Sequence, residues 1–315
     1  MKKIISVLLV FSLLVCSFSG CSTKKKSNVK IGLAAPAATH GWVAGVAYYA
    51  EKYCRKNGID YKLTISSDAP EMEKNLNNLV DWGADTIVVW PQWKGMEDAV
   101  EKVIKKDIPV ISFDVDINCD GIHKITGNNY EMGYECAKYI MDKNGKNSII
   151  AVLEVPSAGS VSDQRKKGFY DYLDEIGYDT NLLFDVAEKS FSREDGYNDM
   201  KKILSEHKDI DAVFSMDDEI SIGVVKAITE SGRKDIKAVT GGGGMQEYFR
   251  MIADEKYASL GLCSALYSPS MIEDAIKTAI DTCTGENSSR VIIIPTTIVN
   301  SENVEKYIDS KNTVY

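Results

Sequence analysis

At 315 residues, with 44% hydrophobic and 26% charged side chains and a formal net charge of -9 at pH 7, the chain has a globular composition and an acidic balance. The charge disfavours nucleic acid as a partner, and the length accommodates two lobes of ordinary size.

Lys2 and Lys3 precede a mainly apolar run from Ile4 to Val15, and Phe18-Ser19-Gly20-Cys21 places small residues before one cysteine. This is the pattern of a secretory signal, residues 1–20, ending in a lipobox whose Cys21 carries a diacylglyceryl group. The run is shorter than the about 20 residues of a membrane span. Phe18 stands where leucine is commoner, and a plain export signal with an incidental cysteine is the alternative. Residues 21–28, with Lys24, Lys25 and Lys26, read as a polar tether between lipid and folded domain. Removing two lysines and no acid moves the formal charge from -9 to -11. Five further cysteines, Cys54, Cys119, Cys136, Cys263 and Cys283, form no C-x-x-C pair and read as buried free thiols.

Strand and helix signals alternate through the rest of the chain. Residues 30–35, 61–66, 86–90 and 110–114 are short β-rich runs, the first three each followed by helical spacing. Asp68 is placed to cap a helix with Pro70 in its first turn, and Gly58 and Gly83 stand where helices stop. A second series runs through 148–154, 182–186, 212–215, 237–240 and 259–262. The reading is α/β, with two doubly wound parallel-sheet lobes.

In such sheets ligands gather beyond the carboxyl ends of the strands. The first series places Thr39, His40 and Trp42 there, then Trp90, Pro91, Gln92 and Trp93, then Asp114 and Asp116, then Asn128 and Asn129. The second contributes Asp163 and Arg165, then Phe191 and Arg193, then Asp217 and Asp218. Aromatics alternate with carboxylates, amides and arginine. That mixture suits a sugar or polyol, whose C–H faces stack on aromatic rings while its hydroxyls need acceptors and donors in fixed positions. Thr39, His40, Trp42, Trp90, Gln92, Trp93, Asp114, Asn128, Asp163, Arg165, Phe191 and Asp217 are therefore the candidate ligand residues.

From residue 29 to about residue 299 the chain resembles the periplasmic-binding-protein type I solute receptors that include ribose- and galactose-binding proteins feeding ABC importers. Trp42 resembles the ring-stacking aromatic after the first strand, and Asp114, in Ile-Ser-Phe-Asp, the aspartate that binds sugar hydroxyls. Arg165 lies in an R-x-x-G-F segment, Arg-Lys-Lys-Gly-Phe, although the family's principal ligand arginine falls two residues earlier, where this chain has Asp163. Phe191 is similar to an aromatic of the second lobe and Asp217 to a hydroxyl-binding Asn or Asp, which leaves Asp218 as a helix cap. Gly241–Gly244 replaces an expected aspartate, and no glutamine stands near Leu262, so ribose is in doubt. Asp163-Gln164 is similar to a pair in autoinducer-2 receptors, a minor candidate ligand.

The resemblance implies a three-crossing hinge near Asn128, Ser264 and Ile292, with residues 29–128 plus 265–291 in one lobe and 129–264 plus 292–315 in the other. It also implies a lipid-anchored monomer on the extracytoplasmic face of the membrane, closing on its ligand and docking on an ABC transporter permease. A sensory receptor of the same fold, signalling to a kinase or chemoreceptor, is the alternative. An exported enzyme is disfavoured, since no serine elbow or H-E-x-x-H appears; no catalytic residue, cofactor or metal is expected. Gly241–Gly244 lacks the features of a phosphate loop and reads as a flexible turn. Asp116, Asn118, Asp120 and Gly121 open like a calcium loop but meet Gly127 at its twelfth position. Each aromatic also has a plain packing explanation, Trp42 on its own helix and Trp82 in the core.

Overall fold

The computed structural model describes residues 29–38, 40–285, 290–312 and 315. The export signal, Cys21, the tether and Thr39 lie outside the described residues.

The first lobe runs β1 (Lys30–Pro36), α1 (Gly41–Asn57), β2 (Asp60–Ser66), α2 (Ala69–Asp81), β3 (Thr86–Val89), α3 (Glu97–Ile104), β4 (Val110–Phe113) and β5 (His123–Gly127). The chain then crosses and builds α4 (Asn129–Asn144), β6 (Ile150–Glu154), α5 (Ser160–Glu175), β7 (Leu183–Ala187) and α6 (Arg193–Glu206). β8 (Ala212–Ser215), α7 (Asp218–Ser231), β9 (Ala238–Gly243), α8 (Gln246–Ala253) and β10 (Leu262–Leu266) follow. It returns for α9 (Ile272–Thr284) and β11 (Val291–Ile294), then ends in the second lobe with β12 (Ile298–Asn300).

The two sheets share one plan. Their orders are β11-β5-β4-β3-β1-β2 and β12-β10-β9-β8-β6-β7, parallel throughout except for the antiparallel β10–β12 pair. Strands covered on both faces read as continuous apolar runs, and Ile87, Val88 and Val89 are correspondingly buried. Local signals fix the helix ends. Asp68 Oδ1 accepts from Glu71 N at 2.8 Å, and Gly58 ends α1 at φ 63°. Two glycines bring α4 and α5 together: a Cβ on Gly133 would sit 1.7 Å from Arg165 O, and one on Gly168 1.9 Å from Tyr130 O.

Several expectations shift. β5, β11 and β12, strands of five, four and three residues, were not foreseen. The strand expected at 259–262 lies at Leu262–Leu266, because residues 255–260 form a 3-10 turn closed by Gly261 at φ 50°. Strand pairing also moves two crossings: Leu266 is still in the second sheet, whereas Val291–Ile294 pairs with β5 in the first. The chain therefore crosses at residues 267–271 and 295–297, not at 264–265 and 291–292. Gly241–Gly243 is buried strand rather than flexible turn, because its missing side chains make room for neighbours: a Cβ on Gly241 would meet Asp218 Oδ1 at 2.4 Å. Cys54, Cys119, Cys136 and Cys263 are buried free thiols, and Cys283 is a half-buried one.

Candidate ligand site between the lobes

The carboxyl ends of both sheets open into one cavity of about 860 Å³. Its inner wall is aromatic. Trp42, in the first turn of α1, is 7% exposed; its ring stacks on Phe113 at 6.2 Å between centroids and meets Trp90 edge-on at 5.3 Å. Its indole Nε1 donates to Tyr267 O at 2.6 Å, which ties the helix to the second crossing.

Asp114 follows β4 with φ 68°, a left-handed conformation that few residues other than glycine adopt. Asp114 N donates to Ile125 O at 2.8 Å, and Thr126 Oγ1 donates to Asp114 O at 2.9 Å. These bonds hold the strained turn, and Asp114 lines the cavity. Tyr267 donates its hydroxyl to Asp114 Oδ1 at 2.5 Å. Burial raises the Asp114 carboxyl above its ordinary range, opposed first by that hydroxyl and then by Arg165.

The second lobe supplies the counter-charge. Arg165 is buried in α5; its Nε donates to Asn129 Oδ1 and its Nη1 to Met216 O, each at 2.8 Å. Its guanidinium carbon lies 5.0 Å from the Tyr267 ring centre, a cation–π distance. Asp217 caps α7, Oδ1 accepting from Glu219 N at 2.7 Å. Burial, then Asp218 and Glu219, pushes its carboxyl up to about 7. Asp218 is not the cap: its Oδ2 accepts from Gly244 N, Met245 N and Ser264 Oγ, and it stiffens the wall behind the site. His40 is pushed down to about 4 by burial and then by Arg165, so it is neutral at pH 7. Its Nδ1 is buried without a hydrogen-bond partner. Uncharged donors and acceptors, two carboxylates and one guanidinium thus converge among aromatic rings, an arrangement suited to hydroxyl recognition.

The family model described as "Periplasmic binding protein domain" matches residues 31–287. The chain belongs to this periplasmic binding protein family. Its two lobes are those of the type I periplasmic binding proteins. Among curated relatives, the ribose import binding protein RbsB of Bacillus subtilis (strain 168) is 28% identical over 273 residues, 82% of this chain and 87% of that protein. A solute-binding protein from Actinobacillus succinogenes 130z, solved with bound D-allose, superposes with TM-score 0.77 at 21% identity, over 89% of this chain and 100% of that one. A Caulobacter myo-inositol-binding protein, solved with myo-inositol, gives TM-score 0.76 at 18% identity over 89% and 96%.

Of the candidate residues, His40, Trp42, Trp90, Gln92, Trp93, Asp114, Arg165, Phe191 and Asp217 of this periplasmic binding protein line the cavity. Two do not. Asn128 instead caps α4, its Oδ1 accepting from Glu131 N at 3.0 Å. Asp163 is exposed on α5, two residues and about 200° of helix turn from Arg165, and points away from the cleft. Tyr267 was missed; in sequence it is one tyrosine among sixteen, six residues after a glycine with no motif around it. Gly242 and Gly243 also line the cavity, their bare backbone forming wall where a phosphate loop had been considered and set aside.

Proposed function

We propose that this protein captures a sugar or polyol between its lobes outside the cytoplasm and delivers it to an ABC importer, binding without catalysis. The observation that carries this reading is the cavity at the carboxyl ends of both sheets, where aromatic faces meet buried Asp114, Arg165 and Asp217. The ribose import relative and the D-allose- and myo-inositol-bound neighbours support a hydroxyl-rich ligand of this size class. In this reading the protein is a monomer, lipid-anchored through Cys21, which keeps it at high effective concentration near its permease. No helix among the described residues is long and apolar enough to cross a membrane.

A thermal-shift screen of the protein from residue 22 onward against sugars, polyols, cyclitols and autoinducer-2 tests the proposal. Ligand at about 100 times its dissociation constant stabilises by about 2.7 kcal/mol. A selective hit lost in Asp114→Ala supports it; silence across the panel defeats it.

A further inference from the structure

The three crossings are not the only links between the lobes. After β12 the chain stays with the second lobe, where Gln246 of α8 brackets it: Nε2 donates to Tyr307 O at 3.0 Å and Oε1 accepts from Asp309 N at 2.8 Å. It then reaches α1 of the first lobe. Asn312 Nδ2 donates to the Tyr49 hydroxyl at 2.7 Å, and that hydroxyl donates in turn to Tyr315 O. The Tyr315 side chain is 3% exposed and packs where three glycines leave room. A Cβ on Gly41 would lie 3.3 Å from Tyr315 Cε2, one on Gly45 3.8 Å from Tyr315 Cβ, and one on Gly243 3.0 Å from Tyr315 Cε1. Gly41 and Gly45 are four apart on one face of α1, whereas Gly243 belongs to β9, so the ring is seated between the lobes. Glycine weakens a helix interior relative to alanine, and at Gly45 the close packing of Pro269 and Tyr315 accounts for it.

We propose that Tyr315 is a positioning residue for ligand capture, a latch whose ring holds α1 against the second lobe and so keeps the two halves of the site facing each other. The inference rests on the ligand-binding reading of the cavity. Groups of both lobes lie beside the ring. The point above Gly243 that is 3.0 Å from Tyr315 Cε1 is also 3.8 Å from Trp42 Cδ1, the aromatic wall of the site. Glu219 Oε1, which accepts from Gly41 N at 2.8 Å, flanks Gly41 together with Tyr315 Cε2. The Tyr315 hydroxyl is buried without a hydrogen-bond partner among the described residues, and burial, then Asp217, Asp218 and Glu219, raises it well above its ordinary range. A buried hydroxyl without a partner costs stability, so the ring and not the hydroxyl makes this contact favourable.

The test is small-angle scattering and hydrogen exchange of the purified ligand-free protein. Tyr315→Ala raises the radius of gyration above wild type and speeds exchange of the Gly41 amide about tenfold. Tyr315→Phe matches wild type in both. Tyr49→Phe, a half-buried change on α1 that spares the core, shifts both readings in the same direction by less, which separates a lost latch from a folding defect. Calorimetric titration with D-ribose, D-allose and myo-inositol reads the consequence for capture: whichever binds wild type binds Tyr315→Ala about tenfold more weakly and Tyr315→Phe within about twofold. The inference is overturned if Tyr315→Ala and Tyr49→Phe scatter and exchange as wild type does, if Tyr315→Phe is as open as Tyr315→Ala, or if Tyr315→Ala binds as tightly as wild type. If none of the three compounds binds, the failure falls on the sugar reading, and scattering and exchange still decide whether Tyr315 joins the lobes.

Discussion

Tyr267 donates its hydroxyl to Asp114 at 2.5 Å, and Tyr267 O accepts from the Trp42 indole at 2.6 Å. One residue on the second crossing therefore orients both the carboxylate and the aromatic wall of the first lobe. Tyr267→Phe keeps the ring under Arg165 but removes the donor from a buried carboxylate. Hydrogen bonds to charged groups contribute about 1.5–3 kcal/mol, so ligand affinity should fall roughly tenfold or more by calorimetry. An affinity within twofold of wild type would show that Asp114 is held without Tyr267.

Gly133 and Gly168 let α4 and α5 pack backbone to backbone, and Gly133 lies against the carbonyl of Arg165 itself. Gly133→Ala must push α5 outward, at a cost of about 1–3 kcal/mol or more. Arg165 moves with it. Denaturant unfolding should show the stability loss, and the folded fraction should bind ligand more weakly than wild type.

Glu188 is 2% exposed, and burial, followed by Asp199 and Asp195, pushes its carboxyl up to about 8. Its unfolded value is lower, so the folded state holds more protons between about 4.5 and about 8. The penalty of ionising it in place therefore grows, and stability falls, as pH rises through that window. Glu188→Gln removes the penalty. Urea unfolding should find the variant about 2 kcal/mol more stable than wild type at pH 9, with the gap shrinking towards pH 5. Equal gaps at both pH values would mean that Glu188 stays protonated or is solvated in the fold.

Asp217, pushed up to about 7, acts with the same sign. Asp217→Asn keeps an oxygen to cap α7 and should flatten the decline in stability from pH 5 to pH 8. A slope identical to wild type would place the titration elsewhere.

Glu219 joins the lobes through Gly41 N. Glu219→Ala should shift the ligand-free protein toward the open form, raising its radius of gyration in small-angle scattering and lowering affinity about threefold to tenfold. Unchanged scattering would mean that the hinge alone sets the closed state.

The βα alternation was legible because buried parallel strands are written as apolar runs with glycine and aspartate at their ends, as at Val88, Asp68 and Gly58. The aromatic and charged residues directly after strands were legible for the same reason: topology sends them to one place. Asp163 misled because a helix turns about 100° per residue, so closeness to Arg165 along the sequence says nothing about which face reaches the cleft. Tyr267 was hidden because its role depends on Trp42 and Asp114, 225 and 153 residues away. No local pattern encodes such a meeting. Asp217 takes the cap expected of Asp218 and still lines the cavity, because both neighbours are capable caps and the Gly244 and Met245 amides hold the Asp218 carboxylate inward.

The glycine strand β9 bears on how this receptor can change its ligand over time. Where the wall is main chain, with Asp218 and the Met216 carbonyl filling the space that side chains at Gly241 and Gly242 would need, a single substitution has nowhere to go. Side chains that can be exchanged without reopening a sheet lie on the opposite lobe, at Gln92 and Trp93 in the loop after β3.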